Sequence, residues 1–256
     1  MTAGEAVDRI SRDLHALGVQ VGDILLVHAS LRSLGAVPGG ATTVIAGLWQ
    51  ALQPHGTLLM PALSYATVTR EHPYFDRNAT PSNVGVVAET FRLQEDVLRS
   101  VHPTHSVCAK GAASQALLAD HGKDHTPCGP HSPFRLLPEY RGKILMLGCG
   151  LAPNTSFHAI EELVMPPYLF GEPIDYTLID GDGQRTVKRY IPHDFTGVRQ
   201  RYDRIGQKVQ APDLRTGRVL DATVYLLDAA AIWRTALAAM QRDPLAFVET
   251  DLPCAS

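Results

Sequence analysis

Residues 24–61 alternate between two kinds of order, and that alternation limits the fold more than any other feature of the chain. Ile24-Leu25-Leu26-Val27 is a short apolar run followed by His28-Ala29-Ser30, which reads as a strand. From about Thr42 the period changes, and Val44, Ile45, Leu48, Trp49 and Leu52 fall on one helical stripe. Gly56-Thr57-Leu58-Leu59-Met60-Pro61 then returns to a strand. A strand–helix–strand unit predicts a parallel sheet.

The rest of the chain extends this pattern. Ala6, Val7, Ile10, Leu14 and Leu17 predict a first helix stopped by Gly18. A helix is expected from Val84 to about Leu98, and Lys143-Ile144-Leu145-Met146-Leu147-Gly148 reads as a buried strand. Tyr176–Ile179 and Val187–Ile191 flank Asp180-Gly181-Asp182-Gly183, a hairpin signal. A last helix runs from about Asp228 through Leu237 and Met240. Residues 62–82 form a long polar connection, and 121–133 a second loop rich in Gly, Pro and His. The loops at 28–40, 62–82, 99–106 and 149–155 follow or abut strands. In an open α/β sheet ligands bind at the carboxyl ends of strands, so these loops are expected to converge on one cleft.

Composition removes several function classes. Of 256 residues, 45% are hydrophobic and 19% charged, with a formal net charge of −3. That leaves no basic footprint for nucleic acid. No stretch approaches ~18 consecutive apolar residues, and Met1-Thr2-Ala3-Gly4-Glu5 lacks the features of a signal peptide, so a cytoplasmic protein is expected. Cys108, Cys128, Cys149 and Cys254 have no C-x-x-C spacing and read as reduced thiols.

The candidate chemistry centres on Asn154-Thr155-Ser156-Phe157-His158-Ala159-Ile160-Glu161-Glu162. A helix opening near Thr155 or Ser156 puts His158 and Glu161 one turn apart on one face. A carboxylate beside an imidazole holds its tautomer and stabilises its protonated form, the core of a general-base device. His28, His102 and His105 also lie near strand ends. The usual zinc-ligand spacings are missing, so no metal is expected. Cys108 sits inside Val107-Cys108-Ala109 and reads as core packing. Ser30 and Ser33, with the nearby glycines, offer hydroxyls and N–H groups to an anion. Arg32, Arg99 and Lys110 are candidate phosphate contacts. Neither GxGxxG nor GxxxxGK[ST] occurs.

Four segments taken together resemble the aminoglycoside 3-N-acetyltransferase family, also called antibiotic N-acetyltransferases. They are Leu26–Gly35 with Gly39-Gly40-Ala41, Arg99–Val107, Cys128-Gly129-Pro130-His131-Ser132-Pro133-Phe134, and Gly148–Glu161. The resemblance spans roughly residues 5–245. It implies an α/β fold unlike that of the GNAT acetyltransferases, with a central mixed sheet, helices on both faces and a β-rich C-terminal part, in one domain over 1–256. It implies acetyl-coenzyme A as donor and an amine as acceptor, with antibiotic resistance as the associated role. By the same resemblance His158 matches the general base, Glu161 the acidic residue three positions on, and Thr155 a hydroxyl residue three before. Ser30, Leu31, Arg32, Ser33 and Leu34 resemble one set of coenzyme A contacts, and Arg99, Ser100, Val101 and His102 another.

These residue types suit the reaction. An alkyl ammonium cannot attack a thioester until it loses a proton, and a positioned histidine is typically worth ~10²–10⁴ in rate. A donor near Thr155 would stabilise the charge developing on the thioester oxygen. Direct transfer is expected, since no convincing acyl-accepting Ser or Cys presents itself. A polycationic acceptor calls for an acidic cleft, with Tyr65, Asp76, Glu162 and Asp194 as the residues to form it beside Glu161. Expected partners are thus a small-molecule amine, with no nucleic acid and no membrane; a homodimer is compatible with the sequence. The rival assignment puts the base at His102 or His105. The segment between Tyr65 and Val84 is shorter than in typical resistance members, which makes another small amine the first alternative acceptor. A histidine-metal hydrolase and a catalytically silent ligand-binding relative are the alternatives of other classes.

Overall fold

Thr2 and Glu5 exchange hydrogen bonds at the start of α1 (Ala3–Leu17), a capping box, and Gly18 ends the helix at φ 116°. The strand–helix–strand unit follows as β1 (Ile24–Ala29), α2 (Gly40–Leu52) and β2 (Thr57–Pro61). β1 and β2 run parallel, with Leu25 beside Leu58. This computed structural model describes residues 1–250; Cys254 lies outside them.

The 62–82 connection is not a plain loop, because it carries β3 (Tyr74–Asp76). The helix expected over Val84–Leu98 is shorter, α3 (Val86–Arg92). Leu93 is 65% exposed, so the apolar stripe stops there. The chain then turns into β4 (Leu98–Arg99), which pairs with β5 (Val107–Gly111). The short helices α4 (Ser114–Leu118) and α5 (Pro133–Leu136) lead to β6 (Lys143–Leu147) and α6 (Phe157–Val164). The expected hairpin is β7 (Ile174–Ile179) and β8 (Arg185–Tyr190). At its turn Asp180 accepts the N–H groups of Asp182 and Gln184, both at 2.9 Å. After β9 (Val198–Gln200) come β10 (Leu214–Val219), β11 (Ala222–Asp228), α7 (Ala229–Arg242) and β12 (Val248–Thr250).

Seven strands form the central sheet in the order β10-β11-β6-β1-β2-β5-β4. β6, β1 and β2 are parallel, and the flanking strands are antiparallel. The sheet is therefore mixed, and the β-rich C-terminal part partly rejoins it through β10 and β11. The rest of that part makes the sheet β3-β7-β8 and the ribbon β12-β9.

Alternation along the strands explains their unbroken apolar runs. Leu25, Val27, Leu58, Met60, Leu145 and Leu147 face a cluster with Ile10, Leu14, Val44, Leu48 and Phe91. Leu26, Leu59, Ile144 and Met146 face a second cluster with Phe134, Phe157, Ile160 and Ile232. Both faces are covered by helices, so both alternating sets of these residues are apolar. No helix among the described residues is long and apolar enough to cross a membrane.

The topology also gathers the loops. β1, β2 and β6 end at one edge, with Ala29 beside Leu147. β5 runs the opposite way and starts there, with Val107 beside Pro61. Residues following three strands and preceding a fourth thus meet at a single edge.

Candidate active site

A cavity of about 650 Å³ opens at that edge. His28, His105, Thr155, His158, His193, Asp194 and Tyr202 give it polar groups, while Val27, Met60, Leu63, Val84 and Ala88 supply an apolar wall. Such a mixture, mostly apolar with a few converging polar groups, is the character of a ligand site.

The Asn154 side chain shapes the entry to α6 by accepting the Ser156 N–H at 3.2 Å and its hydroxyl at 2.7 Å. The helix begins at Phe157, which places His158 in its first turn and Glu161 one turn on. His158 Nδ1 lies 3.1 Å from Glu161 Oε2. Glu161 is fully buried. Tyr202 donates its hydroxyl to Oε2 at 2.9 Å and Tyr168 donates to Oε1 at 3.0 Å. A carboxylate only accepts, so the His158 proton sits on Nδ1 and Nε2 carries the free lone pair.

The other imidazoles of the cavity are held neutral. Burial, and then the nearby His158, lowers His28 to about 3. Burial likewise lowers His105 and His193 well below the ordinary histidine range, with neighbouring histidines adding to it. His193 donates from Nε2 to Glu162 Oε1 at 2.8 Å. The Thr155 hydroxyl is buried without a partner on the same wall. Cys149 also lines the cavity, and burial pushes its thiol up to about 11, which keeps it protonated.

A family model described as aminoglycoside 3-N-acetyltransferase matches residues 26–241. The chain belongs to the aminoglycoside 3-N-acetyltransferase family. It is 34% identical to aminoglycoside N(3)-acetyltransferase IV of Salmonella sp, over 91% of this chain and 86% of that one. The structure of AAC-IIIb in binary complex with CoASH superimposes with a TM-score of 0.79 at 29% identity, covering 94% of this chain and 97% of that one. A mutant of AAC(3)-IVa in complex with a gentamicin gives 0.78 at 31% identity, covering 93% and 89%. The family is one of acyltransferases, and its solved members share the mixed-sheet architecture seen here.

In this acetyltransferase-family chain the sequence-derived site residues fall into two groups. His158, Thr155, Tyr65 and Asp194 line the cavity. Glu161 stands directly behind His158. Ser30, Leu31, Arg32 and Ser33 form a turn beside it, tied down by the Ser30 N–H to the Leu147 carbonyl at 2.9 Å. Gly148, at φ 74°, lets this turn come close, since a Cβ there would lie 2.7 Å from the Ser33 Cβ. Leu34 packs into the core beneath the turn.

The second group does not reach the cavity. Arg99 donates to the carbonyls of Ala62, Arg77 and Thr80 and to the Ser106 hydroxyl, lies over the Phe75 ring, and is 5% exposed. Ser100 bonds His121 Nδ1 at 2.9 Å and accepts the Val107 N–H. Val101 packs against the small sheet. His102 Nδ1 accepts the N–H groups of Thr104 and His105, which fixes a turn and removes it as a base. Lys110 pairs with Asp96. Asp76 accepts the N–H groups of Asn78 and Ala79, holding its own loop. Glu162 accepts from Thr126, Cys128 and His193 and faces inward. Burial raises the Cys108 thiol to about 12, as befits core packing. Among the described residues no group of three or more His, Cys, Asp or Glu is placed to hold a metal.

His193, Tyr202 and Tyr168 are site residues that spacing does not reveal. They lie 7 to 44 positions from their partners Glu161, Glu162 and His158, and only the fold brings them together.

Proposed function

We propose that the chain transfers the acetyl group of acetyl-coenzyme A to the 3-amino group of an aminoglycoside, by direct attack with His158 as general base. One observation carries this reading: His158 stands on the cavity wall with Nδ1 engaged by a buried carboxylate and Nε2 left as the acceptor. The apolar wall fits the extended pantetheine arm of the donor, and the Ser30–Ser33 turn offers its polar groups at the edge. The donor supplies a thioester carbonyl open to attack. The acceptor ammonium first gives one proton to solvent, and the freed nitrogen lone pair attacks the carbonyl carbon while His158 Nε2 takes a second proton from that nitrogen. The C–S bond breaks as the N–C bond forms, and His158 passes its proton to the departing sulfur, leaving the neutral amide and the free thiol. The Thr155 hydroxyl is the group suited to donate to the carbonyl oxygen as its charge grows.

Thiol release from acetyl-coenzyme A across a panel of aminoglycosides is the direct test; no release with any amine would sink the transferase reading. Ser30→Trp is expected to raise the dissociation constant for coenzyme A at least tenfold, because the indole would fill the space beside Ala29. Unchanged affinity in isothermal titration would discredit the turn as a cofactor contact.

A second reading, a smaller amine as acceptor, is favoured by the charge of the cavity. Among the described residues Asp194 is the one carboxylate lining it, since Glu161 and Glu162 are turned to internal donors. If the acceptor is a polycation, Asp194→Asn should raise its KM roughly threefold to tenfold, less so at high salt. A KM indifferent to this change, with release only from small monoamines, would favour the second reading.

A further inference from the structure

Three donors converge on the two oxygens of Glu161, and two of them are phenols from separate segments. Tyr168 follows α6 and reaches Oε1. Tyr202 belongs to the 3₁₀ turn Tyr202–Gln207 and reaches Oε2. Among the described residues no Lys or Arg forms an ion pair with this buried carboxylate; His158 is its one cationic-capable neighbour. Burying a carboxylate is costly unless its lone pairs are satisfied, and the two phenols supply that compensation in place of a cation.

The geometry around Oε2 is closed. Tyr202 Oη is 3.0 Å from His158 Nδ1 as well as 2.9 Å from Glu161 Oε2. With the proton on Nδ1, the phenol oxygen and the carboxylate both face the N–H, while the phenol proton goes to the carboxylate. Tyr202 is itself fixed by stacking on Phe157, the first residue of α6, at 4.6 Å and 14°. The same helix start that places His158 therefore also places the phenol.

We infer that Tyr202 and Tyr168 are positioning residues that hold Glu161 and share its negative charge, so that His158 is oriented by the carboxylate without being locked in its protonated form. The inference rests on His158 being the base. A carboxylate bonded to one imidazole alone would pull hard on the imidazolium and retard return of its proton to the leaving sulfur. Dividing the charge among three donors weakens that pull and keeps the ring orientation. Burial holds both phenols above the ordinary tyrosine range, so they remain donors. The other titratable groups around His158 are His193 and His105, with rings at 5.3 and 5.7 Å, together with His28 and, behind His193, Glu162. The three histidines are held neutral by burial and Glu162 is engaged by Thr126, Cys128 and His193, which leaves Glu161 with its two tyrosines as the group in direct contact with His158.

Tyr202→Phe and Tyr168→Phe, each isosteric, test this through the pH profile. Removing the Tyr202 hydroxyl concentrates the carboxylate charge on the Nδ1–H, which favours imidazolium. The acidic limb of kcat/KM should then move to higher pH, with kcat down on the order of tenfold and the KM for acetyl-coenzyme A within about twofold. Tyr168→Phe should shift the limb the same way by less. A structural role would instead lower the Tm and disturb KM while leaving the limb in place, and that pattern overturns the inference. So does an unchanged profile in both variants while His158→Ala is inactive. Near-parent turnover in His158→Ala would instead remove the base reading, and the positioning role with it.

Discussion

Replacing His158 with alanine is expected to lower kcat by about 10²–10⁴ while leaving coenzyme A affinity within about twofold. The size of the effect follows from the acceptor's chemistry. A primary alkyl amine is protonated at neutral pH, and its ammonium has no lone pair with which to attack. The cavity offers four imidazoles, but His28, His105 and His193 are suppressed as bases by burial. His158 and His193 both combine a place on the wall with a carboxylate partner, but burial holds His193 well below the ordinary histidine range, which leaves His158 as the base. Its loss leaves solvent as the proton acceptor in a partly apolar pocket. The apolar wall formed by Val27, Met60 and Val84 does not involve the imidazole, which is why donor binding should persist. Steady-state kinetics with calorimetry on the same preparation checks both halves. Turnover near that of the parent would move the base to another group, and His105, also on the wall, would be the first to examine.

What the sequence discloses and what it hides divide along the range of the interaction. The strand–helix–strand unit is legible because its periodicity is local, and the His158–Glu161 pair because one helical turn joins it. Thr155 and Ser30 follow from the same loops. Glu162 shows where this ends: it adjoins Glu161, yet a rotation of about 100° along the helix turns it to Thr126, Cys128 and His193 instead of the base. Nothing in one sequence says which of two adjacent carboxylates faces the imidazole except the spacing to His158, and that spacing selects Glu161. His193 and Tyr202 reach the site from beyond the β7–β8 hairpin, and Tyr168 from the turn after α6, where helical spacing no longer applies, so no spacing signals them. Asp76 is misread for a related reason. A loop acid can face a ligand or its own backbone N–H groups, and here it does the latter.

Arg99 poses the same ambiguity at its largest, and Arg99→Leu should destabilise the fold severely without weakening coenzyme A binding in the folded fraction. Its guanidinium is buried among carbonyls of three separate loop positions, Ala62, Arg77 and Thr80, and the Ser106 hydroxyl. It thereby ties the 62–82 connection to the start of β5, the junction that brings Tyr65 and His105 to the cavity. Burial lowers it to about 10, and it still remains charged near neutral pH. Leucine keeps much of the contact with Phe75 but takes the guanidinium donor from the Arg77 and Thr80 carbonyls and leaves the Ala62 carbonyl with the Ser106 hydroxyl alone. Each buried acceptor left without its donor costs about 1–3 kcal/mol, so the loss amounts to several kcal/mol. For a chain of this size that lowers the Tm by roughly 10 °C. Arg99→Lys, with fewer donors and no planar fork, should fall between the two. Differential scanning calorimetry and coenzyme A titration below the transition separate the possibilities. An unchanged Tm accompanied by weakened coenzyme A binding would return Arg99 to the cofactor, whereas a large fall in Tm with affinity intact fixes it as the clamp that sets one wall of the active site.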